Sequence, residues 1–383
     1  MEESYVGVNL RRLRHARALT QATMAARAGI SRAAYCNIEA GRAEPRVATL
    51  QALAAALGAP IAEVVAPARA LTAVRFRSHS RLRAREHILT HAARWLADFN
   101  ALEELVGDIP DNRLPDVSVS GLASCDAAAQ AADQVRRAFG LGASEAVRDL
   151  CGLLEAHGIK VGAFPVASQG FFGLSVAPSD GGPAIVVNTW DRISVERWIF
   201  TAAHELGHLV LHLADYHVAQ TEELDEHEDH ADAFASAFLM PDGVFWSEWD
   251  ETYGLPFIER VLKVKRIFRV SYQTVLYRLA QTKACTGNVW RRFQLEYQAR
   301  YPGRLRRADE PQALPEGAFR ASAQEPAAAK EPERLSRFDF PGDRLSRLVR
   351  RAVEQGQISL GRGAEILGHS MQEMRELSAS WAG

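Results

Sequence analysis

Cysteine is scarce in this sequence, and its spacing excludes two common uses of the residue. The 383 residues include four cysteines, at positions 36, 125, 151 and 285, and no two of them form a C-x-x-C pair. Neither a disulfide framework nor a cysteine-based zinc site is therefore expected. Each cysteine is expected to be a small buried hydrophobic residue in a reducing compartment.

Long apolar segments and a strong net charge are also missing. No apolar run reaches the length of a membrane span, and the first residues, Met-Glu-Glu-Ser, lack a basic region followed by an apolar core. These absences predict a cytoplasmic protein without a membrane partner. The formal net charge of −2 argues against a surface that coats nucleic acid as a whole, but it leaves room for one basic module.

The composition otherwise fits a globular chain with ample core. Hydrophobic residues make up 47% and charged residues 24% of the sequence. A length of 383 residues suggests two or three domains. Helical periodicity dominates, and short strand-like runs occur in one region only, so the expected fold class is multidomain and mainly α with a small β-sheet.

The segment His204-Glu205-Leu206-Gly207-His208 carries the strongest chemical signal. Helical residues four apart lie one above the other, so His204 and His208 can present two imidazoles to one ion. This is the geometry of a zinc hydrolase, in which a third protein ligand completes the anchor and a water occupies the open position. Because the metal lowers the pKa of that water, a neighbouring carboxylate can take its proton. Glu205 is the candidate for that base, and one Zn2+ per chain is expected.

The residues around this motif predict a buried helix. Ser194 suits its N-cap and Glu196 suits the positive end of its dipole, although Arg197 leaves the capping box incomplete. Apolar residues recur at helical spacing, namely Trp198, Ile199, Ala202, Ala203, Leu206, Leu209 and Val210. His212 falls one turn further along the same face, and we expect it to contact a ligand or a substrate rather than the metal.

A second helix should supply the third ligand. The acidic segment 225–230 precedes Ala231, Phe234, Ala235, Phe238 and Leu239 at helical spacing, and Met240-Pro241 follows. Glu228 stands on the face that carries Ala235, so it is the preferred ligand. His227 and His230 are its rivals.

These two segments resemble the ImmA/IrrE family of metallopeptidases. The resemblance rests on the sequence of residues 200–212, on E-x-x-A-D-x-F-A at 228–235, and on Leu239-Met240-Pro241. In that family the glutamate of the second segment is a metal ligand, which supports Glu228. This sequence has Asp232 where the family often has Asn, which puts the hydrogen bond of that amide in question. The likeness runs from about Ser144 to Leu279.

The N-terminal region predicts a helix-turn-helix. Thr20 and Ser31 are expected N-caps of two short helices that are joined by Ala28-Gly29-Ile30. The pattern RxLRxxRxLTQ…AxxAGIS…IEAGRxEP…LxxLAxALG resembles the lambda-repressor/Cro, or XRE, class, which implies a five-helix bundle that binds double-stranded DNA. The expected DNA-binding residues are Gln21, Ser31, Arg32, Ala33 and Asn37. Arg32 is the residue expected to read a base, because a guanidinium can contact guanine in bidentate fashion.

The remaining segments complete a division into five parts. Residues 1–66 form the helix-turn-helix domain, 67–143 a helical connector whose arginines near residues 75–85 are expected to be a solvated linker, and 144–290 an α+β zincin-like peptidase domain. Strands are expected at 159–164, 173–176 and 184–188. Residues 291–334 are expected to be a flexible linker and 335–383 a small helical module.

Three functions fit these segments. The first is a DNA-binding regulator whose zinc endopeptidase cleaves a repressor-like protein, as the family resemblance implies. The second is a transcription factor whose peptidase-like domain is a sensor or a structural unit. The third is an antitoxin-type regulator whose C-terminal module grips a partner, and a homodimer fits that module as well. The sequence leaves the donor for the tetrahedral intermediate open among His212, Tyr216, His217, His230 and Tyr253.

Overall fold

The chain folds into two compact units. The structure is a computed structural model that describes residues 5–17, 19–65, 71–78, 85–111, 114–115, 117, 124–143, 145–168, 170–217, 224–281, 288–301, 305–306, 309–312 and 332–381. The first unit comprises residues 1–72 and 80–101, and the second comprises residues 73–79 and 102–383. Cys285 and three stretches of the predicted linker, 302–304, 307–308 and 313–331, lie outside the described residues.

The first unit begins with the predicted five-helix bundle. Its helices in the described segments are α1 (Tyr5–Ala16), α2 (Gln21–Arg27), α3 (Arg32–Glu39), α4 (Val47–Leu57) and α5 (Ile61–Val65). Thr20 and Ser31 are the N-caps of α2 and α3, since their side chains accept hydrogen bonds from the backbone of Thr23 and Ala34. Leu10, Met24, Tyr35 and Leu53 are fully buried at the centre. Both predicted caps and the bundle are confirmed.

A buried ion pair ties three helices of this bundle together. Arg14 of α1 donates from Nε and Nη2 to the two carboxylate oxygens of Glu39 on α3, at 2.8 and 2.7 Å. Gln21 of α2 donates to Glu39 as well, at 3.1 Å. Burial alone would raise the pKa of Glu39, but the hydrogen bonds from Arg14 hold it below its ordinary value. The bidentate pair therefore stays ionised and fixes how α3 lies on α1 and α2.

Helix α6 (Arg85–Val106) contributes residues 85–101 to the first unit and 102–106 to the second. Its buried side chains recur at helical spacing, at Ile88, Ala92, Leu96, Phe99 and Leu102. The amphipathic helix expected within the connector is therefore present. Of the arginines that precede α6 in the sequence, Arg75 and Arg77 belong to a strand.

The second unit contains a four-stranded mixed sheet. Its strands are β1 (Val74–Ser78), β2 (Lys160–Phe164), β3 (Phe171–Val176) and β4 (Ala184–Asn188), in the order β1-β3-β4-β2. Strand β2 is parallel to β4, while β3 runs antiparallel to both β4 and β1. The strands β2, β3 and β4 match the predicted sheet.

Strand β1 corrects the prediction that residues 67–143 are a helical connector. Val74 and Phe76 alternate with Arg75 and Arg77, which is the period-two pattern of a strand with one apolar face. The arginines suggested a solvated segment, but Arg75 is only 8% exposed. Pairing with β3, which is more than 90 residues away in sequence, decides the conformation here.

Helices pack with the sheet to form the main core of the second unit. They are α7 (Cys125–Ala138), α8 (Leu150–Ala156), α9 (Val195–Leu211), α10 (Asp225–Leu239), α11 (Asp242–Glu251), α12 (Phe257–Phe268), α13 (Tyr272–Gln281) and α14 (Val289–Arg300). Ser194 caps α9 by accepting from the backbone of Arg197, as predicted. Helix α9 packs on β3 and β4, and α10 packs between α9 and α7. Buried apolar side chains of α9 and α10 meet in this core.

The predicted flexible linker at 291–334 is wrong for its first residues. Helix α14 continues to Arg300, and its Phe293 is fully buried against Tyr272, with ring centroids 4.9 Å apart. Further along, the Glu310 carboxylate lies 3.3 Å from Lys265 Nζ. The buried residues of α14 are Val289 and Phe293, so most of the helix has the polar composition that suggested a linker.

The C-terminal module is helical, as predicted. It consists of α15 (Arg344–Glu354), α16 (Leu360–Leu367) and α17 (Met371–Ser380). Within the second unit, Arg344 pairs with the buried carboxylate of Glu103, which also holds Lys160 Nζ at 3.2 Å. The module is therefore anchored to the end of α6 and to β2 by a buried ionic cluster.

Gly207 allows α9 and α10 to approach closely. A Cβ atom at this position would lie 3.0 Å from Phe234 Cδ1 and 3.2 Å from Phe234 Cβ. We expect Gly207→Val to force the two helices apart and to lower the free energy of unfolding by about 1–3 kcal/mol. Urea denaturation measures the change. Gly243→Val is the control, because a Cβ at Gly243 of α11 would meet nothing within 4 Å; an equal loss in both variants would contradict the packing argument.

Candidate metal centre

Two histidines of α9 meet one turn apart in the core of the second unit. His204 and His208 are both fully buried, and their Nε2 atoms lie 2.9 Å apart. Burial lowers the pKa of His208 well below its ordinary value, so its imidazole is neutral. Two imidazoles whose Nε2 atoms converge are suited to bind a divalent metal.

Glu228 of α10 lies opposite these histidines. Its Oε2 is 3.3 Å from His204 Nε2, and its Oε1 is 3.1 Å from His208 Nε2. Burial would raise the pKa of this carboxyl, but contact with the two imidazoles lowers it below its usual range. Among the described residues, His204, His208 and Glu228 form a group whose ligand-type atoms all lie within 4.8 Å of one another. The rivals His227 and His230 are not part of it.

The outer nitrogens of both histidines have hydrogen-bond partners. His204 Nδ1 lies 2.6 Å from Asp232 Oδ1, and His208 Nδ1 lies 2.9 Å from His212 Nδ1. Such partners fix the ring orientation and make Nε2 the nitrogen that would bind a metal. The Asp232 carboxylate therefore accepts a hydrogen bond from His204 Nδ1, although the ImmA/IrrE family often has Asn at this position. The donor set fits a zinc ion held by two imidazoles and one carboxylate.

His212 lies in a stack of imidazole rings beside this group. Its ring centroid is 4.1 Å from that of His227 and 5.9 Å from that of His230, with nearly parallel planes. Burial lowers the pKa of His212 to about 3, so its ring is neutral and its Nδ1 is able to accept a hydrogen bond from His208 Nδ1. This position agrees with the expectation that His212 contacts a ligand and is not itself one.

Glu205 is fully buried and is held by strand β3. Its Oε2 accepts a hydrogen bond from Ser175 Oγ at 2.6 Å, and Ser175 Oγ lies 2.7 Å from Tyr216 OH. Ser175 has a single proton, so Tyr216 donates to it, and burial raises the pKa of Tyr216 well above its usual value. A Cβ at Gly173 would lie 3.2 Å from Glu205 Oε1. A small residue and a hydroxyl on one face of β3 therefore make room for the Glu205 carboxylate and orient it.

Arg75 of β1 is a site residue that the sequence did not reveal. It stands opposite Ser175 in the sheet register, and its Nη2 lies 3.2 Å from Glu228 Oε1. Its Nη1 lies 3.2 Å from His227 Nδ1. The interpretation of this arginine as part of a solvated linker is wrong. A period-two pattern with a buried apolar face was the signal that could have placed it in a strand.

The five candidates for the oxyanion donor differ in exposure and in hydrogen-bond partners. Tyr253 is 90% exposed, and His217 is also exposed. Tyr216 donates to Ser175, and His212 is bonded to His208, while His230 is buried within the imidazole stack. Asn188, the last residue of β4, has four hydrogen bonds within the fold. Its Oδ1 accepts from the backbone of Val166 and Trp190, and its Nδ2 donates to the carbonyls of Ser168 and Phe171. It organises the loop before β3.

The five residues predicted to bind DNA lie at the start of α2 and along α3. Arg32, Ala33 and Asn37 are exposed on α3, and the Ser31 hydroxyl caps that helix. Gln21 also has partners inside the bundle, because its amide nitrogen donates to Glu39 and its amide oxygen accepts from the Cys36 thiol. Its side chain supports α3 from within the bundle. The exposed side chains at the N-terminal part of α3 suit entry into a major groove.

Two family profiles match separate parts of the chain. One described as a helix-turn-helix domain matches residues 6–66, and one described as an IrrE N-terminal-like domain matches residues 154–280. An uncharacterized HTH-type transcriptional regulator of Sinorhizobium fredii is 45% identical over 62 residues, which are 16% of this chain and 80% of that protein. In the described segments no helix is long and apolar enough to cross a membrane.

Proposed function

The chain belongs to the HTH-type transcriptional regulators and also carries an IrrE-like domain, and from this premise we propose that it is a DNA-binding regulator with a zinc-dependent endopeptidase. The observation that carries the proposal is the convergence of His204, His208 and Glu228 beside the buried carboxylate of Glu205. The proposed substrate is a repressor-like protein, in line with the family resemblance.

The residues of this centre have distinct roles in the proposed reaction. Zinc, when bound, supplies the Lewis acid that makes a water nucleophilic at neutral pH. His204 and His208 hold the metal through Nε2, while Asp232 and His212 fix their rings through Nδ1. Glu205 accepts the proton of the attacking water and returns it to the leaving amine. Ser175 keeps one oxygen of that carboxylate in place.

Cleavage tests this proposal directly. The zinc-loaded full-length protein is incubated with a pool of quenched fluorescent peptides of random sequence, and candidate repressors are then tested as intact proteins. We expect cleavage that a chelator abolishes and zinc restores. A zinc-bound, folded protein that cleaves no peptide and no repressor would favour the sensor or structural function of this domain.

The helix-turn-helix domain provides the DNA-binding part of the proposal. Arg32 is exposed at the first position of α3, where a side chain can reach a base edge. We expect Arg32→Ala to weaken binding to the best sequence from a random DNA library by about 5- to 150-fold, which corresponds to about 1–3 kcal/mol. Fluorescence anisotropy at fixed salt measures the loss.

A matched variant separates base reading from loss of charge. Arg350→Ala removes one positive charge from α15, where Arg350 pairs with Glu354 at 2.8 Å. We expect its DNA affinity to equal that of the wild type. If both variants bind equally well to the selected sequence, Arg32 does not read a base. A homodimer on DNA and a cytoplasmic location stay predictions, and the symmetry of the selected sequence tests the former.

A further inference from the structure

Strand β3 is the sheet strand that lies closest to the proposed base. Its Ser175 donates to Glu205 at 2.6 Å, and its Gly173 faces the other oxygen of the same carboxylate. Extended peptides commonly bind a sheet by pairing with an edge strand through main-chain hydrogen bonds. A peptide paired with the outer edge of β3 would therefore pass directly beside Glu205.

The chain itself already occupies this edge. Strand β1 pairs antiparallel with β3, so that Val74, Arg75 and Phe76 lie opposite Val176, Ser175 and Leu174. The backbone of Ala177 also donates to the carbonyl of Ala73, at 2.9 Å. Strand β1 lies outside residues 154–280, which match the IrrE-like profile, and it follows residues 6–66 of the helix-turn-helix in sequence. It is thus supplied by a part of the chain that neither profile matches.

The side chains of β1 point alternately to the metal centre and away from it, as those of a bound peptide do. Arg75 reaches Glu228 and His227, both at 3.2 Å, and its side chain is 9% exposed. Phe76 points to the opposite face, where its ring stacks on Phe171 with centroids 5.0 Å apart. Arg75 therefore contacts the candidate metal ligand Glu228, and Phe76 anchors the strand.

We propose that the edge of β3 is the docking surface for an extended peptide substrate, and that β1 is a built-in peptide-like strand that occupies it. The inference rests on the proposed peptidase function. A substrate must displace β1 before its backbone can lie beside Glu205. Strand β1 follows the DNA-binding domain in the chain. Access of a substrate to the metal centre therefore depends on a strand that is covalently connected to that domain.

The test weakens β1 without altering the metal centre. Phe76→Ala removes the ring that stacks on Phe171 and leaves Arg75 and the ligands unchanged. Phe340→Ala is the control, because Phe340 is a similarly buried aromatic residue of the second unit that packs on Trp198, with ring centroids 6.2 Å apart. Val74→Ala is a milder variant of β1 for the case that Phe76→Ala fails to fold, since Val74 is 2% exposed.

The probe is a fluorescein-labelled peptide with the sequence of residues 71–78, added to the full-length protein with and without zinc. We expect Phe76→Ala to bind it at least about tenfold more tightly than the wild type or Phe340→Ala, because β1 leaves the edge of β3 free for a larger fraction of the time. Hydrogen exchange in residues 171–176 should be faster in Phe76→Ala and should slow again when the peptide is added.

Two results would overturn the inference. One is equal peptide affinity in the wild type and both β1 variants. The other is peptide binding that leaves hydrogen exchange in residues 171–176 unchanged.

Cleavage of the random peptide pool tests the peptidase separately. Peptide docking on β3 without cleavage by zinc-loaded Phe76→Ala would refute the peptidase and leave the docking surface established. Faster cleavage by Phe76→Ala than by the wild type would support both.

Discussion

Replacement of Glu205 by Gln is expected to lower peptide cleavage by about 10²- to 10⁴-fold while zinc stays bound. The amide has nearly the same shape as the carboxylate, and its carbonyl oxygen can still accept the hydrogen bond from Ser175, which lies 2.6 Å from Glu205 Oε2. It cannot take a proton from the attacking water. Glu205 is also outside the group formed by His204, His208 and Glu228, so the metal should be unaffected.

The control for this variant is Glu251→Gln, which removes an exposed carboxylate at the end of α11. Cleavage rates of the wild type, Glu205→Gln and Glu251→Gln are compared at equal zinc content with the same peptide pool. We expect Glu251→Gln to cleave at the rate of the wild type. If zinc-bound Glu205→Gln retains the wild-type rate, Glu205 is not the general base and the proposed mechanism is wrong.

Replacement of Glu228 by Ala is the second large effect, and we expect it to reduce zinc affinity by more than about 100-fold. This carboxylate is the candidate third ligand, lying 3.1 and 3.3 Å from the Nε2 atoms of His208 and His204. Loss of a contact outside the ligand set typically costs about 10- to 100-fold in metal affinity, so loss of a ligand should cost more. Competition with a chromophoric chelator measures the affinity.

Three further variants compare the other contacts around the metal centre. Asp232→Ala removes the carboxylate at 2.6 Å from His204 Nδ1 and should cost about 10- to 100-fold in zinc affinity. Asp232→Asn should cost less, because an amide oxygen can still accept the hydrogen bond from His204. His227→Ala should leave the affinity close to that of the wild type. A larger loss in His227→Ala than in Glu228→Ala would mean that the third ligand has been assigned to the wrong residue.

Short-range patterns were sufficient to predict the helices that carry the candidate ligands. The spacing of His204 and His208, the cap at Ser194 and the apolar positions of α9 all report on one helix, and the structure agrees with each. The choice of Glu228 used the same kind of information about α10. Such features depend on residues within one or two turns of each other, so a sequence displays them directly.

The features that the sequence concealed depend on pairing between distant segments. Arg75 reaches the metal centre only because β1 pairs with β3, and Ser175 reaches Glu205 only because α9 packs across that strand. A serine in a strand and an arginine in a basic stretch are unremarkable on their own. The hydrogen bond from Gln21 to Glu39 was hidden for a similar reason, since it forms between α2 and α3. Long-range contacts decide the role of these side chains.

The zinc content of the purified full-length protein is the most direct test of the central claim. Metal analysis of the wild type is carried out beside His204→Ala, whose folding is checked by circular dichroism. The centre formed by His204, His208 and Glu228 predicts about one zinc ion per chain in the wild type and its loss in the variant. A folded wild type that binds no zinc when zinc is supplied would contradict the metal centre and the peptidase built on it.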